Sequence, residues 1–320
     1  MNDITIGIIG VGNVGSTLAF NLAISGLCNT ILLKDIREDF TKAMALDISQ
    51  AAKASNNNTK VKACFSKDEF KNCKIIIITA GIARKPNMSR EDLLLTNTKI
   101  VKNIFDEVQE QNKDAIFIIV SNPLDTMVYA ALEKSKLSRN RVFGMAGALD
   151  TSRFKHYIEE KLTINYKNID ALVIGSHSNK MVPLINHVKI DDKLLIDILN
   201  KEDINYILEN TQNGGAKIVE LLKTGSAYFA PAHCCFLMCK AIITDSKDVF
   251  SCSVKLLGEY NYNDLPLGVP CILGKNGIEE VLELELSKEE LDELKNSMSV
   301  IENSINLLKG VKNETSIWSL

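Results

Sequence analysis

Residues 5–15 read Thr5-Ile6-Gly7-Ile8-Ile9-Gly10-Val11-Gly12-Asn13-Val14-Gly15. The first five suit a buried strand, and three glycines spaced G-x-G-x-x-G follow without a break. In such a turn Gly10 permits the tight bend, Gly12 lets backbone approach a pyrophosphate, and Gly15 lets the next helix pack close to the sheet. A helix expected over Val14–Ser25 and closed by Gly26 would aim unpaired amides and its positive dipole end at phosphates. An acid about 20 residues further on, at the end of a second strand, completes a dinucleotide-binding unit. Asp35 stands there, just past Ile31-Leu32-Leu33-Lys34. Its carboxylate would accept hydrogen bonds from an adenosine ribose and repel a 2′-phosphate. The expected cofactor is therefore NAD, held by Gly10, Gly12, Asn13, Val14, Gly15 and Asp35. Arg37, two residues later, brings a cation that complicates the preference.

Outward from this unit the strand–helix alternation continues. Strands are expected at Ile75–Thr79 and Ile116–Val120, with shorter ones near Val61–Cys64 and Val142–Phe143; helices fit Phe40–Ala54 and Arg90–Gln111. Ile75-Ile76-Ile77-Ile78 is apolar on both faces, as a parallel strand covered by helices requires. The pattern predicts an α/β fold with a doubly wound parallel dinucleotide-binding sheet. Past residue 150 longer helices (Arg153–Leu162, Ile204–Leu222, Lys288–Leu308) mix with strands at Ala171–Ile174 and Val281–Leu286. That change predicts a second, mixed α+β domain for substrate binding and catalysis, with the division at 1–147 and 148–320.

Composition narrows the function classes. Of 320 residues 46% are hydrophobic and 24% charged, the balance of an ordinary globular protein, and the net charge of −3 argues against nucleic acid or an anionic membrane as partner. No apolar run approaches the ~18 residues of a membrane span. The amino terminus lacks the pattern of a signal peptide, so a cytoplasmic protein is expected. Eight cysteines invite a metal or disulfide reading. None forms a C-x-x-C pair, and none has a histidine at ligand spacing, so core filling in a reducing compartment is expected and no metal site.

Chemistry-bearing residues gather in the middle of the chain. Leu149-Asp150-Thr151-Ser152-Arg153 precedes Gly175-Ser176-His177-Ser178-Asn179, and Arg84 and Arg90 share an upstream loop. An acid, a histidine that titrates near neutrality and three guanidiniums suit a carboxylate substrate from which a proton moves. Beside a dinucleotide site they point to hydride transfer.

The chain resembles the lactate/malate dehydrogenase family, and within it the malate branch of the lactate-dehydrogenase-like type, from Gly10 to about Leu286. The resemblance rests on Ser89-Arg90-Glu91-Asp92-Leu93, Ser121-Asn122-Pro123-Leu124-Asp125, Gly144-Met145-Ala146-Gly147-Ala148-Leu149-Asp150, Asn213-Gly214-Gly215-Ala216 and Leu222 to Pro231. It implies that His177 is the acid/base and that Asp150 orients it. Arg90 would polarise the carbonyl, and Arg153 would clamp the C1 carboxylate with a fork that lysine lacks. Asn122 would contact substrate and cofactor, Asn97 and Val120 match cofactor positions, and Ser226 matches a pocket position. Arg84 falls where the family meets the far end of the substrate, and an arginine there implies a second carboxylate, hence malate and oxaloacetate. The alternatives are lactate or another 2-hydroxy acid, and a non-catalytic NAD-binding relative. The resemblance also implies a homodimer or homotetramer.

Three departures from the family pattern stand out. Ala83 and Asn87 replace a usual proline and glycine, and His177-Ser178-Asn179 replaces His-Gly-Asp. A glycine-only conformation at 178 would make serine cost about 1 kcal/mol or more. Losing the acid at 179 removes a negative charge close to the histidine.

Overall fold

A computed structural model describes residues 3–82, 88–162 and 168–317, with side chains as far as Gly310. Arg84, Ala83 and Asn87 lie outside the described residues. The first half runs β1 (Thr5–Ile9), α1 (Asn13–Ser25), β2 (Thr30–Lys34), α2 (Glu38–Ala54), β3 (Lys60–Ala63), β4 (Ile75–Ile78), α3 (Arg90–Val108), β5 (Ile116–Ile119), α4 (Leu124–Ser135) and β6 (Val142–Gly144). Its strands pair in parallel in the order β3-β2-β1-β4-β5-β6, with helices on both faces. The order reverses between β1 and β4, and a doubly wound sheet opens its ligand crevice at that reversal, beyond the carboxyl ends of the strands.

The four isoleucines of β4 are all fully buried, each contributing roughly 1.5–3 kcal/mol of apolar burial. They alternate between two cores, Ile75 and Ile77 facing one and Ile76 and Ile78 the other. Truncating one, as in Ile77→Ala, would cost about 2–5 kcal/mol.

The second half begins with α5 (Gly147–Lys161) and five two-residue strands: β7 (Ile169–Asp170), β8 (Val173–Ile174), β9 (Val182–Pro183), β10 (Lys189–Ile190) and β11 (Lys193–Leu194). Then come α6 (Lys201–Leu222), α7 (Phe229–Thr244), β12 (Val249–Leu257), β13 (Asn263–Gly274), β14 (Gly277–Val281) and α8 (Lys288–Ile317). Among the described residues β12, β13 and β14 extend the parallel sheet as an antiparallel set, joined to β6 through the pair Ser253 and Gly144.

The sequence expectations also lacked α4, β12 and β13, and three further details differ. The strand expected at Val281–Leu286 lies earlier, because pairing with β13 ends at Cys271 opposite Val281. The Val-Leu-Glu-Leu-Glu-Leu alternation there imitates a strand beyond the last partner. The helix expected from Arg153 begins at Gly147, which brings Asp150 into its first turn. Helix α7 has no counterpart among the expected elements, since it is apolar nearly all round and shows no stripe. All eight cysteines are buried with free thiols. Burial pushes the Cys28 and Cys73 thiols up to about 12, so they are inert packing groups.

Candidate active site

The turn from β1 into α1 is built for close approach. A Cβ on Gly15 would overlap the Gly10 carbonyl oxygen, so only glycine lets α1 start this near the strand. The Thr79 hydroxyl donates to that carbonyl at 2.6 Å, tying the turn to the end of β4. Gly12 caps α1 with no side-chain hydrogen bond, which leaves the first-turn amides available, and a Cβ there would meet nothing within 4 Å. At the end of β2, Asp35 Oδ2 accepts the Val11 N–H at 2.7 Å. Open amides, an uncrowded cradle and a carboxylate in one corner fit a dinucleotide.

Next to Val14 opens a cavity of about 520 Å³, whose lining includes Arg90, Val120, Asn122, Arg153, His177 and Ser226. Arg90 is the first residue of α3, and a reciprocal capping pair sets the start of that helix: Ser89 Oγ accepts the Asp92 N–H at 2.9 Å, and Asp92 Oδ2 accepts the Ser89 N–H at 3.1 Å. Asn122 and Val120 follow β5 at its carboxyl end. Asp150 and Arg153 sit one turn apart on α5, and His177 follows β8.

Asp150 is the hub. It is 1% exposed; its Oδ2 lies 2.8 Å from His177 Nδ1, and its Oδ1 accepts from Arg153 Nη1 at 3.0 Å. A carboxylate accepting at Nδ1 makes that nitrogen the N–H donor and leaves Nε2 to exchange a proton in the cavity. Burial alone would lower the His177 pKa, but the Asp150 charge and hydrogen bond, with Asp125 behind them, raise it above its usual value. Arg153 lies along Gly214 and Gly215 of α6; a Cβ on Gly215 would come within 3.2 Å of its guanidinium.

The structure thus brings His177, Asp150, Arg153, Arg90, Asn122 and Ser226 around one space, which Val14 and Val120 also line. Asn97 is placed differently: it is 1% exposed, and its amide is spent on the Ile82 N–H (2.8 Å), the Ile82 carbonyl (3.2 Å) and the Asn122 carbonyl (2.7 Å). It therefore braces the loop that carries Asn122.

Ser178 is not among the described residues with positive φ, so no glycine conformation is demanded there. Its hydroxyl bonds Ser176 Oγ at 2.8 Å and accepts the Lys180 N–H at 3.0 Å, which accommodates the serine without the expected strain. Sequence reasoning missed Asp125, whose Oδ2 accepts the His177 N–H at 2.9 Å. The signal available was its place in the Ser121–Asp125 motif, but nothing local links it to a residue 52 positions away. Among the described residues no group of three His, Cys, Asp or Glu could hold a metal ion.

Comparison with known proteins adds to this geometry. The family model for the lactate/malate dehydrogenase NAD binding domain matches residues 4–144, and that for the alpha/beta C-terminal domain matches residues 147–312. The chain belongs to the lactate/malate dehydrogenase family. Its cofactor is NAD, and it is an oxidoreductase of that family. The malate dehydrogenase of Aliarcobacter butzleri is 54% identical over 309 residues, covering 97% of this chain and 98% of that protein. The crystal structure of Cryptosporidium parvum malate dehydrogenase superposes with a TM-score of 0.92 at 39% identity, covering 96% of this chain and 99% of that one. The lactate dehydrogenase of the same organism, complexed with lactic acid and the dinucleotide, also reaches 0.92, at 32% identity over 97% of this chain and 99% of that one. Family membership accounts for one cavity being lined both by Val14 of the glycine turn and by His177 of the histidine–carboxylate pair.

Proposed function

We propose that the chain interconverts (S)-malate and oxaloacetate with NAD, using His177 as proton donor and acceptor. The observation carrying this reading is the buried Asp150 carboxylate shared by the His177 ring and Arg153, beside the cavity that Arg90 and Asn122 also line. The glycine turn and Asp35 would hold NAD, which would supply the hydride acceptor or donor for C2 of the substrate.

In the reductive direction the imidazolium of His177 gives its Nε2 proton to the C2 oxygen, and Asp150 holds the ring in place. In the oxidative direction neutral Nε2 takes the hydroxyl proton of malate. Arg90 offsets negative charge developing on the oxygen. Arg153 grips the C1 carboxylate with the donors that Asp150 leaves free. Asn122 and Ser226 line the substrate pocket. Gly10, Gly12, Asn13, Val14, Gly15, Asp35, Asn97 and Val120 serve the cofactor, Asn97 through the loop it braces. Arg84 meets the second carboxylate. Residues 1–147 and 148–320 act as cofactor and substrate domains.

The same reading makes the protein a cytoplasmic homodimer or homotetramer at the malate step of the tricarboxylic acid cycle. Among the described residues no helix is long and apolar enough to cross a membrane. Self-association is supported by exposed Phe20, Phe40, Leu46 and Phe229 on α1, α2 and α7, helices that pack side by side.

Oxidation of NADH measured with oxaloacetate and with pyruvate tests the proposal. Oxaloacetate should be preferred by orders of magnitude, and His177→Asn should lower turnover by roughly 10²–10⁴ while NADH still binds. Preference for pyruvate would make the chain a lactate-type enzyme. Binding of NADH without turnover of either would make it a non-catalytic relative.

A further inference from the structure

Asp35 is the carboxylate that would meet the adenosine ribose, yet its lone pairs are already taken. Oδ2 accepts the Val11 N–H at 2.7 Å and Arg37 Nη2 at 3.1 Å; Oδ1 accepts the Arg37 main-chain N–H at 3.1 Å and Arg37 Nε at 3.0 Å. A carboxylate offers about four lone-pair directions, and four N–H donors occupy them. The 2′- and 3′-hydroxyls of a ribose need acceptors on the same two oxygens. They gain them only when the guanidinium lets go.

The guanidinium is free to do so. Its side chain is 51% exposed against 9% for Asp35, and its Cζ rests 4.2 Å from the centroid of the Phe40 ring. Phe40 lies in the first turn of α2 and is itself partly exposed, and the guanidinium stacks on it while still bonded to Asp35, so its outer edge already faces solvent. The main chain at 37 is anchored independently, because its carbonyl accepts the Thr41 N–H and hydroxyl, a contact that side-chain changes leave in place.

We propose that Arg37 is a specificity-determining gate at the adenosine ribose subsite. Closed on Asp35, it competes with the hydroxyls of NADH. Turned away from Asp35 toward solvent, it presents a fork suited to a 2′-phosphate, whose charge the Asp35 carboxylate alone would repel. The same side chain therefore opposes NADH and favours NADPH, leaving the protein less strict toward NAD than Asp35 by itself would make it. This inference deepens the cofactor reading above and rests on Asp35 meeting the ribose.

Equilibrium titration of NADH and of NADPH against the wild-type protein, Arg37→Gln and Arg37→Ala tests it. A partly exposed ion pair is worth little, so freeing Asp35 should tighten NADH by only about two- to fivefold. NADPH should weaken by about tenfold, the lower end of what a charge-assisted hydrogen bond contributes. The two cofactors should move in opposite directions in both variants. Unchanged or weaker NADH binding in both variants, or unchanged NADPH binding, overturns the gate. Failure of the wild-type protein to bind NADH overturns the gate together with the reading beneath it. Tight NADH binding by the wild type with no shift in the variants overturns the gate alone.

Discussion

Asp125 Oδ2 accepts the main-chain N–H of His177 at 2.9 Å, so two buried carboxylates hold the histidine, Asp150 by its ring and Asp125 by its backbone. Asp125 lies in the first turn of α4, three residues after Asn122. Burial pushes its carboxyl above the usual carboxylate range, against the opposing pull of the Ser253 hydroxyl, the His177 N–H and the imidazole. Asp125→Ala should strand a buried N–H at a cost of about 1–3 kcal/mol and lower kcat more than it changes NADH affinity. Asp125→Asn keeps an acceptor and should restore most of both losses. Thermal melts and steady-state kinetics on the two variants check this; equal damage from Asn and Ala would mean that the ionisable group, not the acceptor, is what matters.

The raised pKa of His177 has a sign that kinetics can read. Reduction of oxaloacetate needs the protonated ring, so its kcat/KM should hold until pH rises through a value above 6.5 and then fall. Stability follows the same direction: the contribution is complete below the unfolded value of 6.5 and is lost as pH rises through the folded one. Asp150→Asn should move the limb to lower pH, and Asn179→Asp should move it higher by returning an acid to the cavity wall. An Asn179→Asp profile that superposes on the wild type would show position 179 to be too solvated to act on the ring.

Arg84, which lies outside the described residues, carries the substrate proposal. A charge-assisted hydrogen bond to the second carboxylate is worth about 1.5–3 kcal/mol, and pyruvate offers only a methyl group there. Arg84→Gln should cut oxaloacetate efficiency by about 10- to 100-fold and leave pyruvate unchanged or improved. An unmoved ratio of the two efficiencies would reduce Arg84 to a solvated loop residue.

Arg139 offers a test of stability away from the cavity. Its Nη2 and Nη1 grip Glu259 at 2.7 and 3.0 Å, and Nη1 also reaches the Lys255 carbonyl at 3.0 Å, tying the segment after α4 to the end of β12. The Arg139 hydrogen bonds hold the Glu259 carboxyl down to about 2 from its ordinary 4.5. The pair's contribution is therefore full above 4.5 and lost as pH falls toward 2. Arg139→Ala should cost about 1.5–3 kcal/mol in urea melts at pH 7, with the gap narrowing below pH 4.5. A gap constant with pH would assign the loss to packing of the arginine stem.

Elements whose cause is local were legible in the sequence. The run from Thr5 to Gly15, the acid at Asp35 and the apolar Ile75–Ile78 strand each act through neighbours along the chain, and β1 coincides with its expected bounds. The candidate histidine, its acid and Arg90 and Arg153, which the structure gathers at one cavity, were legible by residue type and by family motif. Position in space decided the rest. Periodicity missed α7 because its exposed face carries Phe229, Ala230 and Leu237 and so contrasts little with its buried one, and it extended a strand past Val281 because alternation does not show where a partner ends. The bond from Asp125 to His177, the hydroxyl contacts that accommodate Ser178 and the filling of every Asp35 lone pair by Val11 and Arg37 are matters of distance and direction. A hydrogen bond is made within about 3 Å, a separation that residue order leaves undefined until the sheet and its helices have packed.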